Sequence, residues 1–306
     1  MRKSEDMKAI IINRYGDPDV LEVADIPAPR PGPGETLVRV AAVAVNPADG
    51  KWRSGKFESF APIGFPHVLG YDIAGQVIGG KGFAPGTRVF GMLDPFTKGG
   101  YAQEVAVAAD HLGVVPEGVD MTIAAAIPTA GLTGLQMVER GVDLQPGQSV
   151  LLTGALGAVG RIALFAAKAR GAHVVAAVRA AHRDAVLALG ADAVITLGEE
   201  DWTGAPFDHV IDTVGGAAVA ALARHLKPGG RLMTAATTPI PAHGLPSAPE
   251  IYGVKPSGAD VARLAAAVAD GRIEVPIDRI LPLDQAGEAQ RLVEAGGLSG
   301  KIVLTP

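Results

Sequence analysis

The sequence predicts an α/β protein of two domains: a doubly wound parallel sheet, and a mostly-β module completed by the end of the chain. Three observations carry that expectation. Ser149 to Arg183 reads as one strand, glycine turn, helix, strand unit. Strands and helices keep alternating after it, whereas the first 120 residues show many short strands, glycine turns and little helix. The 306 residues are also enough for two cores of ordinary size.

Composition narrows the class. The 40 glycines and 23 prolines are spread as turn punctuation through a 48 % hydrophobic chain, which is the habit of a globular protein with short connections. A net charge of −5 argues against a nucleic-acid surface as the main role. With no cysteine, disulfides and thiolate metal sites are excluded. The N-terminus lacks a signal-peptide apolar core, so a cytoplasmic location is the default expectation. The most apolar long window, Val150 to Ala167, carries Arg161 and the glycine turn in its middle, and a membrane span is not expected.

In chain order, Met7 to Val23 alternates around Tyr15 to Pro18 like a hairpin-like start, and Pro27 to Gly34 is a connection. Strands are expected at Glu35 to Val45, Tyr71 to Gly79, Arg88 to Gly91 and Tyr101 to Val107. Lys51, Trp52 and Arg53 read as a solvated loop, with the flank of an entrance as the alternative. Helical patterns occupy Met121 to Ile127 and Gly131 to Arg140. The parallel sheet follows, with strands at Ser149 to Thr153, His173 to Val178, Ala193 to Thr196, His209 to Asp212, Arg231 to Ala235 and Ile251 to Lys255. Helices are expected between them at Ala158 to Ala169, Ala185 to Leu189 and Ala217 to Leu226. A helix at Asp260 to Asp270, another at Gln285 to Glu294 and a strand at Lys301 to Leu304 return to the first module.

Gly154, Gly157 and Gly160 permit a tight turn, close backbone approach to a pyrophosphate and close packing of helix on strand. Past the second strand, where an NAD site usually has Asp or Glu on the adenosine ribose, stand Arg179, His182 and Arg183. A guanidinium fork suits a 2′-phosphate, so NADPH is the expected cofactor, with solvated surface arginines as the alternative.

Several stretches together carry a family likeness: AVNPADGKWRSG (Ala44 to Gly55), FPHVLGYDIAG (Phe65 to Gly75), GTRVFG (Gly86 to Gly91), GGYAQEVAV (Gly99 to Val107), AGLTG (Ala130 to Gly134), TGALGAVG (Thr153 to Gly160) and VIDTVGG (Val210 to Gly216). From Met7 onward the chain resembles the quinone oxidoreductase branch of the zinc-free medium-chain dehydrogenase/reductases. The resemblance implies a GroES-like catalytic domain of residues 1–122 and 258–306, a Rossmann domain of residues 123–257, a cofactor cleft at their junction and a homodimer. It implies Gly154, Ala155, Gly157, Ala158, Val159 and Gly160 at the pyrophosphate, Thr133 near the nicotinamide amide, and Thr213 with Val214 along the ribose and nicotinamide. Lys301 matches a basic position that reaches phosphate, or is an ordinary strand-end lysine.

Zinc-dependent relatives carry Cys where this chain has Asn46 and Pro47, and a His-Glu pair where it has Tyr71 and Asp72. His67 and Asp72 alone do not complete a three-ligand catalytic zinc site. Without metal, hydride delivery to a quinone or an α,β-unsaturated carbonyl is easier than reduction of a simple ketone, because the resulting anion needs only hydrogen-bond donors and a proton. Asn46 is the candidate contact to nicotinamide or acceptor, or else an Asn-Pro turn residue. Tyr71 is a phenolic donor or a half-buried aromatic at a strand start, and Asp212 reads as a strand-end acid bonded to backbone. The expected protein is an NADPH-dependent reductase of a small-molecule acceptor. An enoyl-thioester reductase and an NADPH-sensing binding protein are the alternatives.

Overall fold

The computed structural model describes residues 6–94, 96, 99–199 and 201–306. Two compact units divide it: the chain up to Thr129 together with Pro256–Pro306, and Ala130–Lys255.

The first unit opens with β1 (Asp6–Ile12) and β2 (Glu22–Pro27), paired antiparallel with Met7 opposite Ile26. In β3 (Glu35–Ala44), Thr36, Val38, Val40 and Ala42 are buried while Arg39 and Ala41 face water, and the strand ends in a run buried on both faces. That run delivers Asn46 into the interior. The chain continues through α1 (Pro47–Arg53), β4 (His67–Val68), β5 (Asp72–Gly80), β6 (Arg88–Met92), β7 (Glu104–Ala108), β8 (Leu112–Val114) and α2 (Met121–Ala126). β4 pairs with β1, and β3 is flanked by β5 and β7, all antiparallel.

The expectation of a solvated loop at Lys51, Trp52 and Arg53 is overturned by α1. Pro47 sits at its first helical positions, where no N–H is needed. Asp49 accepts from the Asn46 N–H at 2.7 Å, the carboxylate half of a capping box. Trp52 is buried, and Arg53 is only 2 % exposed. Its guanidinium goes inside because acceptors await it there: Gln290 Oε1 at 2.6 Å, the Gly16 carbonyl and Glu294.

The second unit begins within α3 (Pro128–Gln136) and continues with β9 (Ser149–Thr153), α4 (Ala158–Ala169), β10 (His173–Val178), α5 (Arg183–Ala188), β11 (Ala193–Thr196), β12 (His209–Asp212), α6 (Ala217–Ala223), β13 (Leu232–Thr234) and β14 (Pro249–Ile251). Its strands pair in parallel in the order β11-β10-β9-β12-β13-β14. The winding direction therefore reverses between β9 and β12, and ligands of such sheets bind past the carboxyl ends of the strands at that point. Leu151, Val175, Val210 and Leu232 of adjacent strands share one core with Val219 and Leu222 of α6. The sixth strand lies two residues earlier than expected; its leading Pro249 is tolerated because the strand is an edge.

The chain then returns to the first unit through α7 (Gly258–Ala269), β15 (Ile277–Pro282), α8 (Ala286–Ala295) and β16 (Lys301–Thr305). β16 pairs antiparallel with the end of β3, Val303 opposite Ala44. The closing strand thus brings Lys301 to the same end of the sheet as Asn46. Among the described residues no helix is long and apolar enough to cross a membrane.

Candidate active site

In the second unit, β9 enters a turn whose geometry admits only glycine at two points. Gly154 has φ +64°, and a Cβ there would lie 2.2 Å from Thr213 Oγ1. A Cβ on Gly160 would lie 2.2 Å from the Gly154 carbonyl oxygen and 2.8 Å from Ala155 Cα, both backbone. Helix α4 is thereby held directly against the turn, with Ala155 buried beneath it. Its first intrahelical bond runs from Arg161 N–H to the Gly157 carbonyl at 2.9 Å. The N–H groups of Ala158, Val159 and Gly160 precede that bond at the positive end of a twelve-residue helix. A cradle that a Cβ would fill and a helix start without a side-chain cap fit a dinucleotide pyrophosphate.

Asp212, wholly buried at the end of β12, knits this crevice together. It accepts from Thr153 Oγ1 at 2.5 Å, Thr234 Oγ1 at 2.6 Å, and the N–H groups of Val214 and Gly215 at 3.0 Å. Thr213 donates from its hydroxyl to the Thr153 carbonyl at 2.9 Å. The acid is thus bonded to hydroxyls as well as to backbone, and Thr213 and Val214 stand at the carboxyl end of β12, with Val214 40 % exposed. Gly134 of α3 packs on the first turns of α4, where its Cβ would meet the Val159 carbonyl at 2.5 Å, and Thr133 is buried beside it. Arg179 is exposed just past β10, and Arg183 donates to Thr196 Oγ1 at 2.9 Å.

The first unit holds the other candidates. Asn46 Nδ2 donates to Asp72 Oδ2 at 2.9 Å, and its Oδ1 accepts from Lys301 Nζ. Lys301 Nζ also stands 4.0 Å from Asp72 Oδ2. Asp72 Oδ1 accepts from Thr129 N–H at 2.8 Å and Thr129 Oγ1 at 2.6 Å. Asp49 accepts from the Tyr101 hydroxyl at 3.0 Å in addition to Asn46 N–H, and its second oxygen is buried without a partner. Apart from the half-buried Thr129, all of these side chains are buried. Tyr71 is 2 % exposed, more deeply buried than the expected half-buried aromatic, and its hydroxyl is also without a partner. Its ring packs 6.3 Å from Trp52, which in turn touches the rings of Phe57 and the exposed Phe96.

Burial dominates the electrostatics of this cluster. It pushes the Asp49 carboxyl up to about 7, Asp72 adding to the rise and the bonds from Asn46 and Tyr101 opposing it. Burial likewise raises Asp72, against the pull of Lys301 and Thr129, and lowers Lys301, against the pull of both carboxylates. The Tyr71 phenol is driven well above its ordinary value by burial and then by Asp49, so it stays protonated. The Lys301 ammonium therefore pulls on both carboxyls and stands nearest to Asp72, 4.0 Å from its Oδ2. Sequence reasoning singled out Asn46, Tyr71 and Lys301 separately but missed Asp49, Tyr101 and Thr129. The Asn-Pro-x-Asp capping pattern was the one local signal that pointed to Asp49.

A zinc ion does not fit this donor set. Asp72 is already committed to Thr129, Asn46 and Lys301, and an ammonium 4.0 Å from its carboxylate occupies the cation's electrostatic place. Among the described residues no three His, Cys, Asp or Glu side chains converge as metal ligands.

One unit with a glycine-cradled parallel sheet and another, antiparallel and closed by the chain's last strand, are the two parts of a dehydrogenase or reductase. The model of the alcohol dehydrogenase GroES-like domain matches residues 32–117, and that of the zinc-binding dehydrogenase matches residues 189–304. The chloroplastic quinone oxidoreductase of Triphysaria versicolor is 31 % identical over a 327-residue alignment covering 98 % of both chains. The chloroplastic NADPH-dependent alkenal/one oxidoreductase of Arabidopsis thaliana is 30 % identical over 99 % of this chain and 80 % of its own. The solved quinone oxidoreductase of Coxiella burnetii superposes with a TM-score of 0.85 at 29 % identity, covering 99 % of this chain and 100 % of that one. The chain belongs to the medium-chain dehydrogenase/reductase family, in its quinone oxidoreductase branch. The family is one of nicotinamide-dependent oxidoreductases.

Proposed function

We propose that this protein is a zinc-independent, NADPH-dependent reductase that delivers hydride to a quinone or an α,β-unsaturated carbonyl. The observation that carries the reading is the substitution of a buried ammonium, amide and phenol for a metal-ligand set in the first unit. NADPH supplies the hydride when bound. Gly154, Ala155, Gly157, Ala158, Val159 and Gly160 hold its pyrophosphate, Thr133, Thr213 and Val214 its nicotinamide side, and Arg179 and Arg183 the 2′-phosphate. Asn46 orients the reacting partners. Tyr71, protonated and with an unpaired hydroxyl, offers a hydrogen bond to the acceptor oxygen as charge develops there. The overall step consumes one hydride and one proton per acceptor, giving hydroquinone or saturated carbonyl. Trp52, Phe57 and Phe96 form an aromatic run suited to planar acceptors. A homodimer in the cytoplasm completes the reading.

The test follows NADPH and NADH consumption against quinones, short enones and enoyl thioesters, with products identified. Turnover of quinones or enones with NADPH preferred is the expected result. Arg179→Asp should weaken NADPH at least tenfold while leaving NADH nearly unchanged, since one charge-assisted phosphate contact is worth roughly 1.5–3 kcal/mol. Equal changes for both would refute the 2′-phosphate assignment, and NADPH binding without turnover of any acceptor would refute the reductase.

A further inference from the structure

The Asn46 carboxamide is gripped on both edges. Its NH2 faces Asp72 Oδ2 at 2.9 Å, with the Ala44 carbonyl 3.5 Å away, and its oxygen faces the ammonium of Lys301, 255 residues further along the chain. With Asp72 ionised beside the Lys301 ammonium, only this orientation satisfies both edges. An amide oxygen turned to Asp72 would meet a group with no proton to donate, and an NH2 turned to Lys301 would meet one with no lone pair to accept. The grip is itself anchored. Thr129 binds the far oxygen of Asp72 twice, at 2.8 and 2.6 Å, and Asp49 holds the Asn46 backbone N–H at 2.7 Å. Asn46, Asp72 and Lys301 are respectively 4 %, 0 % and 8 % exposed, so water does not compete for these bonds.

We propose that Lys301 and Asp72 are positioning residues that clamp the Asn46 carboxamide in one orientation for the reductase reaction, Lys301 acting from the interior rather than as a phosphate ligand. A ligand beside Asn46 then meets a fixed amide whose NH2 is already committed to the interior. This proposal rests on the reading of Asn46 as a contact of the reacting partners. It assigns the closing strand a function besides completing the sheet, because β16 carries the lysine that sets the amide.

The sequence makes the test clean, since Asn13 and Asn46 are its only asparagines. Labelling asparagine with nitrogen-15 yields two side-chain NH2 pairs, with exposed Asn13 as the internal reference. Lys301→Met keeps the aliphatic stem and deletes the ammonium. The Asn46 pair should shift and exchange with deuterium at least about tenfold faster in the variant, while Asn13 stays put. In the same protein kcat should fall about 10- to 100-fold, the scale of a small misplacement at a reacting centre, with the Kd for NADPH within about twofold of wild type. An unmoved Asn46 pair overturns the clamp. A raised Kd for NADPH with kcat at saturation retained overturns it in favour of a phosphate contact. If the wild type reduces no acceptor, the reductase reading fails and the amide signals alone decide the clamp. If Lys301→Met does not fold, Thr129→Val, which removes one donor to Asp72 and keeps its shape, should give a smaller shift of the Asn46 pair, and no shift overturns the proposal.

Discussion

Gly160→Ala tests the glycine cradle through a contact that has no room to give. The new Cβ would lie 2.2 Å from the Gly154 carbonyl oxygen and 2.8 Å from Ala155 Cα, whereas unstrained carbon contacts begin near roughly 3.5 Å. Because both obstacles are backbone, no side chain can swing aside, and α4 must retreat from the turn by about 1 Å. Overpacking of this kind costs typically 1–3 kcal/mol, and the absence of a yielding neighbour puts this site near about 3 kcal/mol. For a unit of this size that is a loss of roughly 10 °C in Tm. On the proposed reading the retreat also carries the first N–H groups of α4 away from the dinucleotide pyrophosphate, so dinucleotide affinity should fall about tenfold or more. Gly157→Ala is the internal control. Its Cβ approaches only the Gly154 carbonyl oxygen, at 3.3 Å, and its φ of −69° suits any residue, so its stability cost should stay below about 1 kcal/mol. Scanning calorimetry and dinucleotide titration of both variants measure the two effects. A Gly160→Ala protein that melts and binds like wild type would refute the close packing of helix on turn.

The remaining predictions concern the first unit. Arg53→Met leaves the buried Gln290 Oε1 and the part-buried Gly16 carbonyl without their donor and should cost about 2–3 kcal/mol in chemical denaturation, the half-exposed Glu294 adding little; a change below about 1 kcal/mol would contradict the network around Arg53. Asp49 binds its proton more tightly folded than unfolded, its carboxyl rising from 3.8 to about 7, so it lowers stability as pH rises through that window and the penalty is complete above it. Asp49→Asn should therefore flatten this decline and be more stable than wild type above neutrality, and a less stable variant there would reverse the sign. Metal analysis of the purified protein should find no stoichiometric zinc; one tightly held zinc per chain would contradict the committed bonding of Asp72.

The sequence by itself determined the nucleotide-binding half almost residue by residue. The strands Ser149–Thr153, His173–Val178, Ala193–Thr196 and His209–Asp212 and the helix Ala158–Ala169 lie where the pattern places them. A buried parallel strand, a glycine turn and an amphipathic helix are each written in neighbouring residues, so a local reading recovers them. The first unit was legible as β-structure for the same reason, down to the strand that delivers Asn46. Its chemistry was not. Arg53 and Lys51 look alike in sequence, yet Arg53 turns inward because Gln290 and Glu294 arrive from α8, more than 200 residues later. Lys301 likewise reads as a strand-end lysine until β16 closes against β3 and sets its ammonium on Asn46 and Asp72. A buried charge is tolerated only where its partners converge, and those partners come from segments that only the tertiary structure brings together.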